Sequence, residues 1–155
     1  MILRDFKVFP KTGKLMGIDW GARRTGVAVS YMDGMIVSAR PVISMSQYSH
    51  QELAEKILKI VIEEKIDGIV IGLPMRMDGS ESETTMRVRE FADVLSKKTD
   101  VPMVFIDETL SSVAAQEDMG RIRVRDIKRK LDSNAACVIL ENAIAMIKRG
   151  SNTIH

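Results

Sequence analysis

Asp19 closes the apolar run Leu15-Met16-Gly17-Ile18, and Asp107 with Glu108 closes a second apolar run that starts at Val101. A third acidic position, Asp132, opens a stretch in which Ala135, Ala136 and Ile139 follow three, four and seven residues on. At helical spacing these residues share one face, so Asp132 faces the same way as an apolar stripe. Carboxylates gathered at one place repel one another, and burial penalises each charged form further. A divalent cation makes such a cluster tolerable. The chain has one cysteine, Cys137, and two histidines, His50 and His155, so thiolate and histidine clusters are excluded. An all-oxygen ligand set suits Mg²⁺ or Mn²⁺. Two such cations, roughly 3.5–4 Å apart, activate water and stabilise the leaving oxygen in phosphodiester hydrolysis.

Each acid also has a plainer reading. Asp19 fits a side chain that accepts backbone hydrogen bonds in the glycine turn after it. Asp107 and Glu108 fit a solvated strand end, and Asp132 fits a helix N-cap. What favours chemistry is convergence, because three separate segments deliver acid to one expected edge. The basic residues have a matching pair of readings. Arg23 and Arg24 stand in the turn directly after Asp19, where they would hold a phosphate. Arg121, Arg123, Arg125, Lys128, Arg129 and Lys130 form a run just before Asp132. That run is either a solvated face or a surface that positions a nucleic-acid backbone without reading its sequence. Aromatic residues make up only 5% of the chain, so no extensive base-stacking platform is expected.

The elements that would position these residues follow from hydrophobic periodicity. Leu15–Asp19 reads as a buried strand, "GVAVS" as a second, and "MIVSARPVISM" as a third after a turn at Met32–Gly34. Ser49 with Glu52 matches a capping box, and Leu53, Ile57, Ile60 and Val61 then predict a helix to about Lys65. "IDGIVIGLP" is apolar without alternation, as expected of a parallel strand covered on both faces. A loop ends in a second capping box, Ser80 with Glu83, and Met86, Phe91, Val94 and Leu95 predict a helix ending near Lys98. "VPMVFIDE" is the fifth strand. A short helix is expected over Leu110–Met119, and a last one runs from about Asp132. The fold class is α/β: an antiparallel meander and two parallel strands form a five-stranded mixed sheet flanked by helices. Crossover connections would bring the carboxyl ends of the first, fourth and fifth strands to one edge, where such sheets place their sites.

At 155 residues, 45% hydrophobic and 28% charged, the chain fits one globular domain spanning 1–155, with its core over about 15–150. Net charge is +2, so any case for a polyanionic partner rests on where charges cluster. Arg4, Asp5 and Lys7 interrupt the first apolar residues, which argues against a signal peptide. No run is long enough to cross a bilayer, and a cytoplasmic protein without a membrane partner is expected.

Four segments resemble the YqgF/RuvX group of ribonuclease H-like nucleases. "GIDWGARRTGVA" resembles its opening motif, "IGLPMRMDGSES" its loop after the fourth strand, "DETLSS" its acidic pair and turn, and "DSNAACVIL" its last motif. The resemblance covers about Leu15 to Gly150. It implies a ribonuclease H-like fold and a divalent-metal nuclease with Asp19, Glu108 and Asp132 as catalytic acids and metal ligands, and Asp107 as a fourth candidate. Members of the group have been assigned to maturation of the 5′ end of pre-16S ribosomal RNA and to Holliday-junction resolution. The resemblance favours the RNA role, and the residues themselves do not choose. A junction resolvase needs two active sites, so a homodimer is compatible with the second role. Two departures stand out: Thr109 replaces the group's usual arginine, and Arg76 replaces a residue that is usually neutral. Loss of a guanidinium beside the acids removes a bidentate phosphate donor, and Arg76 is a candidate nucleic-acid contact in its stead.

Three readings from other classes remain open, one of them a structural or scaffold domain, which predicts no metal affinity. The opening motif is also similar to the first phosphate loop of actin- and hexokinase-type ATPases, but no second such loop and no room for a second lobe are present. A non-catalytic nucleic-acid-binding module would keep the fold and bind without metal, and Thr109 is the feature that favours it.

Overall fold

In the computed structural model, residues 1–31, 36–108 and 134–149 are described. The turn at Met32–Gly34, the helix expected over Leu110–Met119, Thr109, the basic run and Asp132 lie outside them. The elements are β1 (Ile2–Leu3), β2 (Leu15–Asp19), β3 (Arg24–Tyr31), β4 (Ile36–Ser44), α1 (His50–Glu64), β5 (Gly68–Leu73), α2 (Glu83–Ser96), β6 (Met103–Asp107) and α3 (Asn134–Lys148).

The sheet has six strands in the order β1-β6-β5-β2-β3-β4, not five. The added strand is β1, two residues long, which pairs in parallel with Met103 and Val104 of β6. Two residues show no alternation, and their partners lie far along the chain, so local pattern carries no trace of this strand. The rest follows the expected topology: β2, β3 and β4 form the antiparallel meander, while β2, β5 and β6 run parallel. Every residue of β5 is buried, in keeping with its unalternating apolar sequence.

Apolar residues pack on both faces. One core lies under α1 and α2 and includes Met16, Ile18, Leu53, Ile57, Ile71, Phe91 and Leu95. The other lies under α3 and includes Leu15, Val70, Val104, Ile106, Ala136, Ile139 and Leu140. Phe6 and Phe9, edge to face at 5.4 Å, complete this second core from the N-terminal segment.

Ser49 caps α1 as its spacing predicts, its side chain accepting from the Glu52 amide at 3.3 Å. The cap of α2 differs from expectation: Ser82, not Ser80, is the N-cap, and it exchanges hydrogen bonds with Thr85 rather than Glu83. Ser80 is consumed by the loop before the helix. Its amide and hydroxyl both donate to Asp78, at 2.9 and 2.6 Å, and its carbonyl accepts from the Arg76 amide. The buried stripe is Thr85, Val88, Phe91, Ala92 and Leu95, and Met86, expected on that stripe, falls outside it and is 58% exposed. Among the described residues, no helix is long and apolar enough to cross a membrane.

Candidate active site

Strand alternation decides where the acids point. Along β2, Met16 and Ile18 face the α1/α2 core and Leu15 faces α3, so Asp19 turns to the α3 side at the strand's carboxyl end. Along β6, Val104 and Ile106 face α3, and Glu108 follows them on that side. Two glycines make room there. A Cβ at Gly17 would lie 2.7 Å from the Ala136 carbonyl oxygen and 2.8 Å from Leu140 Cβ. A Cβ at Gly72 would lie 2.5 Å from Ile139 Cδ1 and 3.3 Å from the Glu108 carboxyl carbon. Bare backbone at both positions therefore lets α3 approach the sheet beside the acids.

Asp19 and Glu108 meet carboxyl to carboxyl and share a hydrogen bond. Two carboxylates cannot share one without a proton between them. Burial pushes Glu108 up to about 8, with further lifts from the Asp19 hydrogen bond and from the charges of Asp19 and Asp107. Burial also raises Asp19, against the lowering effect of the bond it accepts from Glu108. Both carboxyls are thus held above their ordinary range, and the hydrogen bond between them needs a proton shared by the pair. A divalent cation would take that proton's place, so the hard oxygens of this pair fit Mg²⁺ or Mn²⁺. They make two ligands. Among the described residues no group of three His, Cys, Asp or Glu side chains is arranged to hold a metal. The helix that carries the chain away from Asp132 starts at Asn134, and its first turns pack over Gly17 and Gly72.

Asp107 is exposed, and alternation sets it on the opposite face from Glu108, with Met103 and Phe105. Arg23 and Arg24 are both exposed in and after the turn that follows Asp19. That turn is held by Thr25, 1% exposed, whose hydroxyl donates to the Gly21 carbonyl at 2.9 Å. Arg76 is exposed in the loop after β5, a tight hairpin closed by the Met75–Glu81 bridge and a Gly79 amide donating to Arg76 O at 2.8 Å. Arg121, Arg123, Arg125, Lys128, Arg129, Lys130 and Asp132 lie outside the described residues.

Sequence reasoning missed one assembly. Trp20 Nε1 donates to the Tyr48 hydroxyl at 2.9 Å, and the rings meet edge to face at 5.4 Å. The Tyr48 hydroxyl is hydrogen-bonded to His50 Nδ1, and His50 Nε2 reaches Glu90 at 3.3 Å. Arg87 lies over both the Trp20 and Tyr48 rings, at 5.0 and 5.5 Å. The aromatic residues are few but not scattered. The position of Trp20 directly after Asp19 was the one signal available, since nothing local pairs it with Tyr48 or Arg87.

The described fold can be set beside known proteins. A family model described as "RuvX: Holliday junction resolvase" matches residues 13–146. The chain belongs to the RuvX family. A relative from Maridesulfovibrio salexigens named "Putative pre-16S rRNA nuclease" is 40% identical over 134 residues, covering 85% of this chain and 98% of its own. One of the same name from Paracoccus denitrificans is 36% identical over 157 residues, covering 96% of both chains. Among solved structures, Thermus thermophilus RuvC in complex with a Holliday junction substrate superposes with a TM-score of 0.64 at 14% identity, over 90% of this chain and 98% of that one. At that identity the likeness is one of fold: this RuvX chain shares the fold of RuvC.

Proposed function

We propose that this RuvX-family chain is a divalent-cation-dependent nuclease that hydrolyses phosphodiester bonds of structured RNA, processing the 5′ end of pre-16S ribosomal RNA. The observation that carries this reading is the proton-sharing Asp19–Glu108 pair at the carboxyl edge of a parallel sheet. The names of the relatives supply the substrate.

Asp19, Glu108 and Asp132 are the proposed ligands and catalytic acids, with Asp107 adding negative charge from the neighbouring position. When bound there, Mg²⁺ or Mn²⁺ lowers the pKa of water and stabilises charge on the leaving oxygen. The chain's own part is to orient and to bind. Asp19 and Glu108 present fixed oxygens because β2 and β6 are locked in register on either side of β5. Arg23, Arg24 and Arg76 bind phosphates around the acids, and Arg121, Arg123, Arg125, Lys128, Arg129 and Lys130 are further proposed contacts to the nucleic-acid backbone. A single domain acting in the cytoplasm goes with this role.

A second reading, resolution of four-way DNA, is favoured by the description of the matching family, and it would bring two copies together for two cuts. One assay separates the two. A precursor ribosomal RNA fragment and a four-way DNA junction are incubated side by side with Mg²⁺ or Mn²⁺, with EDTA and Asp19→Asn as controls. RNA cleavage abolished by both controls is the expected result. Preference for the junction would shift the substrate to DNA. Binding without cleavage would leave a nucleic-acid-binding module.

A further inference from the structure

Among the described residues, three arginines lie over aromatic rings, and they differ in what their donors meet. Arg40 lies over Tyr31 at 5.2 Å, and its guanidinium grips Glu64 through two hydrogen bonds, at 2.7 and 2.6 Å. Arg89 lies over Phe105 at 5.5 Å and grips Glu81 through two bonds of 2.9 Å. Arg87 lies over two rings, Trp20 and Tyr48, and among the described residues no carboxylate stands within ion-pair distance of it. The rings meet the charge of Arg87 but give its N–H donors no carboxylate to bind. Those donors form a fork matched to carboxylate or phosphate.

The seat under Arg87 is fixed. Trp20, Tyr48, His50 and Glu90 form a continuous chain of hydrogen bonds, so both rings are held in place. The topology sets this seat at the active edge. Trp20 directly follows Asp19 at the end of β2, Tyr48 precedes α1 on the same edge, and Arg87 is the fifth residue of α2, which starts there after β5. Arg87 also stands near the N-terminus of its helix, where the macrodipole disfavours a cation, so helix stability does not account for it.

We infer that Arg87, held over Trp20 and Tyr48, binds a backbone phosphate of the nucleic-acid strand that passes the Asp19–Glu108 pair. It supplies from α2 a guanidinium of the kind that Thr109 does not provide. The acid pair and the arginine bracket the end of β2, the acids on the α3 side and Arg87 on the α1/α2 side, so a strand crossing this edge meets both. This inference rests on the proposed nuclease reading only in taking nucleic acid as the ligand.

The test is binding of a fluorescein-labelled RNA hairpin with a single-stranded 5′ extension, followed by anisotropy in Ca²⁺ across a range of salt. Arg87→Ala is expected to weaken binding about tenfold and to lower the slope of log K against log salt by about one. Arg87→Lys restores the slope but not the affinity, because an ammonium does not fork. Lys97→Ala, which removes an exposed charge from the far end of α2, changes binding less than twofold. Arg87→Met keeps an unbranched apolar stem over the rings and takes the place of Arg87→Ala if that variant lowers the melting temperature. A hairpin carrying one uncharged methylphosphonate at the contacted phosphate should bind wild type and Arg87→Ala alike.

Binding of the Ala and Met variants within twofold of wild type, with unchanged slope, overturns the inference. So does a loss that no single methylphosphonate reproduces. An Arg87 effect on binding without any cleavage by the wild type would overturn the nuclease and leave Arg87 as a phosphate contact. Cleavage with no Arg87 effect would do the reverse.

Discussion

Two clusters of charge sit in the same sheet and behave in opposite ways. Around Glu64, the Arg40 guanidinium donates two hydrogen bonds, Tyr31 adds a third at 3.2 Å, and Lys14 stands 3.8 Å away. The Arg40 contact holds the Glu64 carboxyl below its ordinary range, against a smaller effect of burial. At the carboxyl end of β2, burial raises both Asp19 and Glu108, and each has the other for its partner. The first cluster carries its cations within the chain and is electrically complete. The second is complete only with a proton or an added cation. The same residue type thus serves as a clamp in one place and as a receptor in the other, and the neighbours make the difference.

The largest effect expected from breaking this contrast is on turnover. Loss of groups that merely orient metal ligands costs about 10–100-fold, so Asp19→Asn or Glu108→Gln should lower cleavage by at least about 10²-fold in Mg²⁺, read from initial rates. Folding should survive, and circular dichroism melts check that. Next comes the packing that positions the pair. Gly72→Ala drives a methyl into Ile139 and towards Glu108, and overpacking of this kind costs roughly 1–3 kcal/mol, measured by urea unfolding.

The pH dependence of the two clusters runs in opposite senses. Glu108 is raised, so metal-free protein binds this proton more tightly when folded. Its stability therefore declines as pH rises from the ordinary carboxyl range towards about 8. Glu108→Gln should remove that decline and raise stability by roughly 1–2 kcal/mol at pH 8 without metal. Added Mg²⁺ should stabilise wild type more than the variant, and more at pH 8 than at pH 6. Glu64 is lowered, so its contribution is present above the ordinary carboxyl pKa and fades as pH falls through its folded value. Glu64→Gln should cost only about 1 kcal/mol at pH 7, because the pair is partly exposed, and nothing once the wild-type carboxyl is protonated. Melting temperatures against pH for the two variants would show the opposed slopes.

Much of this arrangement is legible in the sequence, because it is local. The apolar runs that end in Asp19 and in Asp107-Glu108 announce strands closing on acid, and the switch to helical spacing after Ser49 announces the crossover that makes those strands parallel. What sequence does not carry is contact across distance. The hydrogen-bonded chain from Trp20 to Glu90 joins three elements, and no spacing rule links them. The start of α2 was ambiguous for another reason. Ser80 and Ser82 both stand three residues before a plausible partner, and only the Asp78 turn, by occupying Ser80, decides between them.

The short strand β1 bears on how the molecule is made. Ile2 and Leu3 leave the ribosome before β2 to β5, and their partners Met103 and Val104 emerge only after those strands have been synthesised. The segment before β2, with Phe6 and Phe9 destined for the core under α3, must therefore wait until β6 has been made before it can dock. Until then β6, once formed, presents an unpaired parallel edge, and a nascent chain held at that stage is the species most exposed to pairing with its neighbours on the same message.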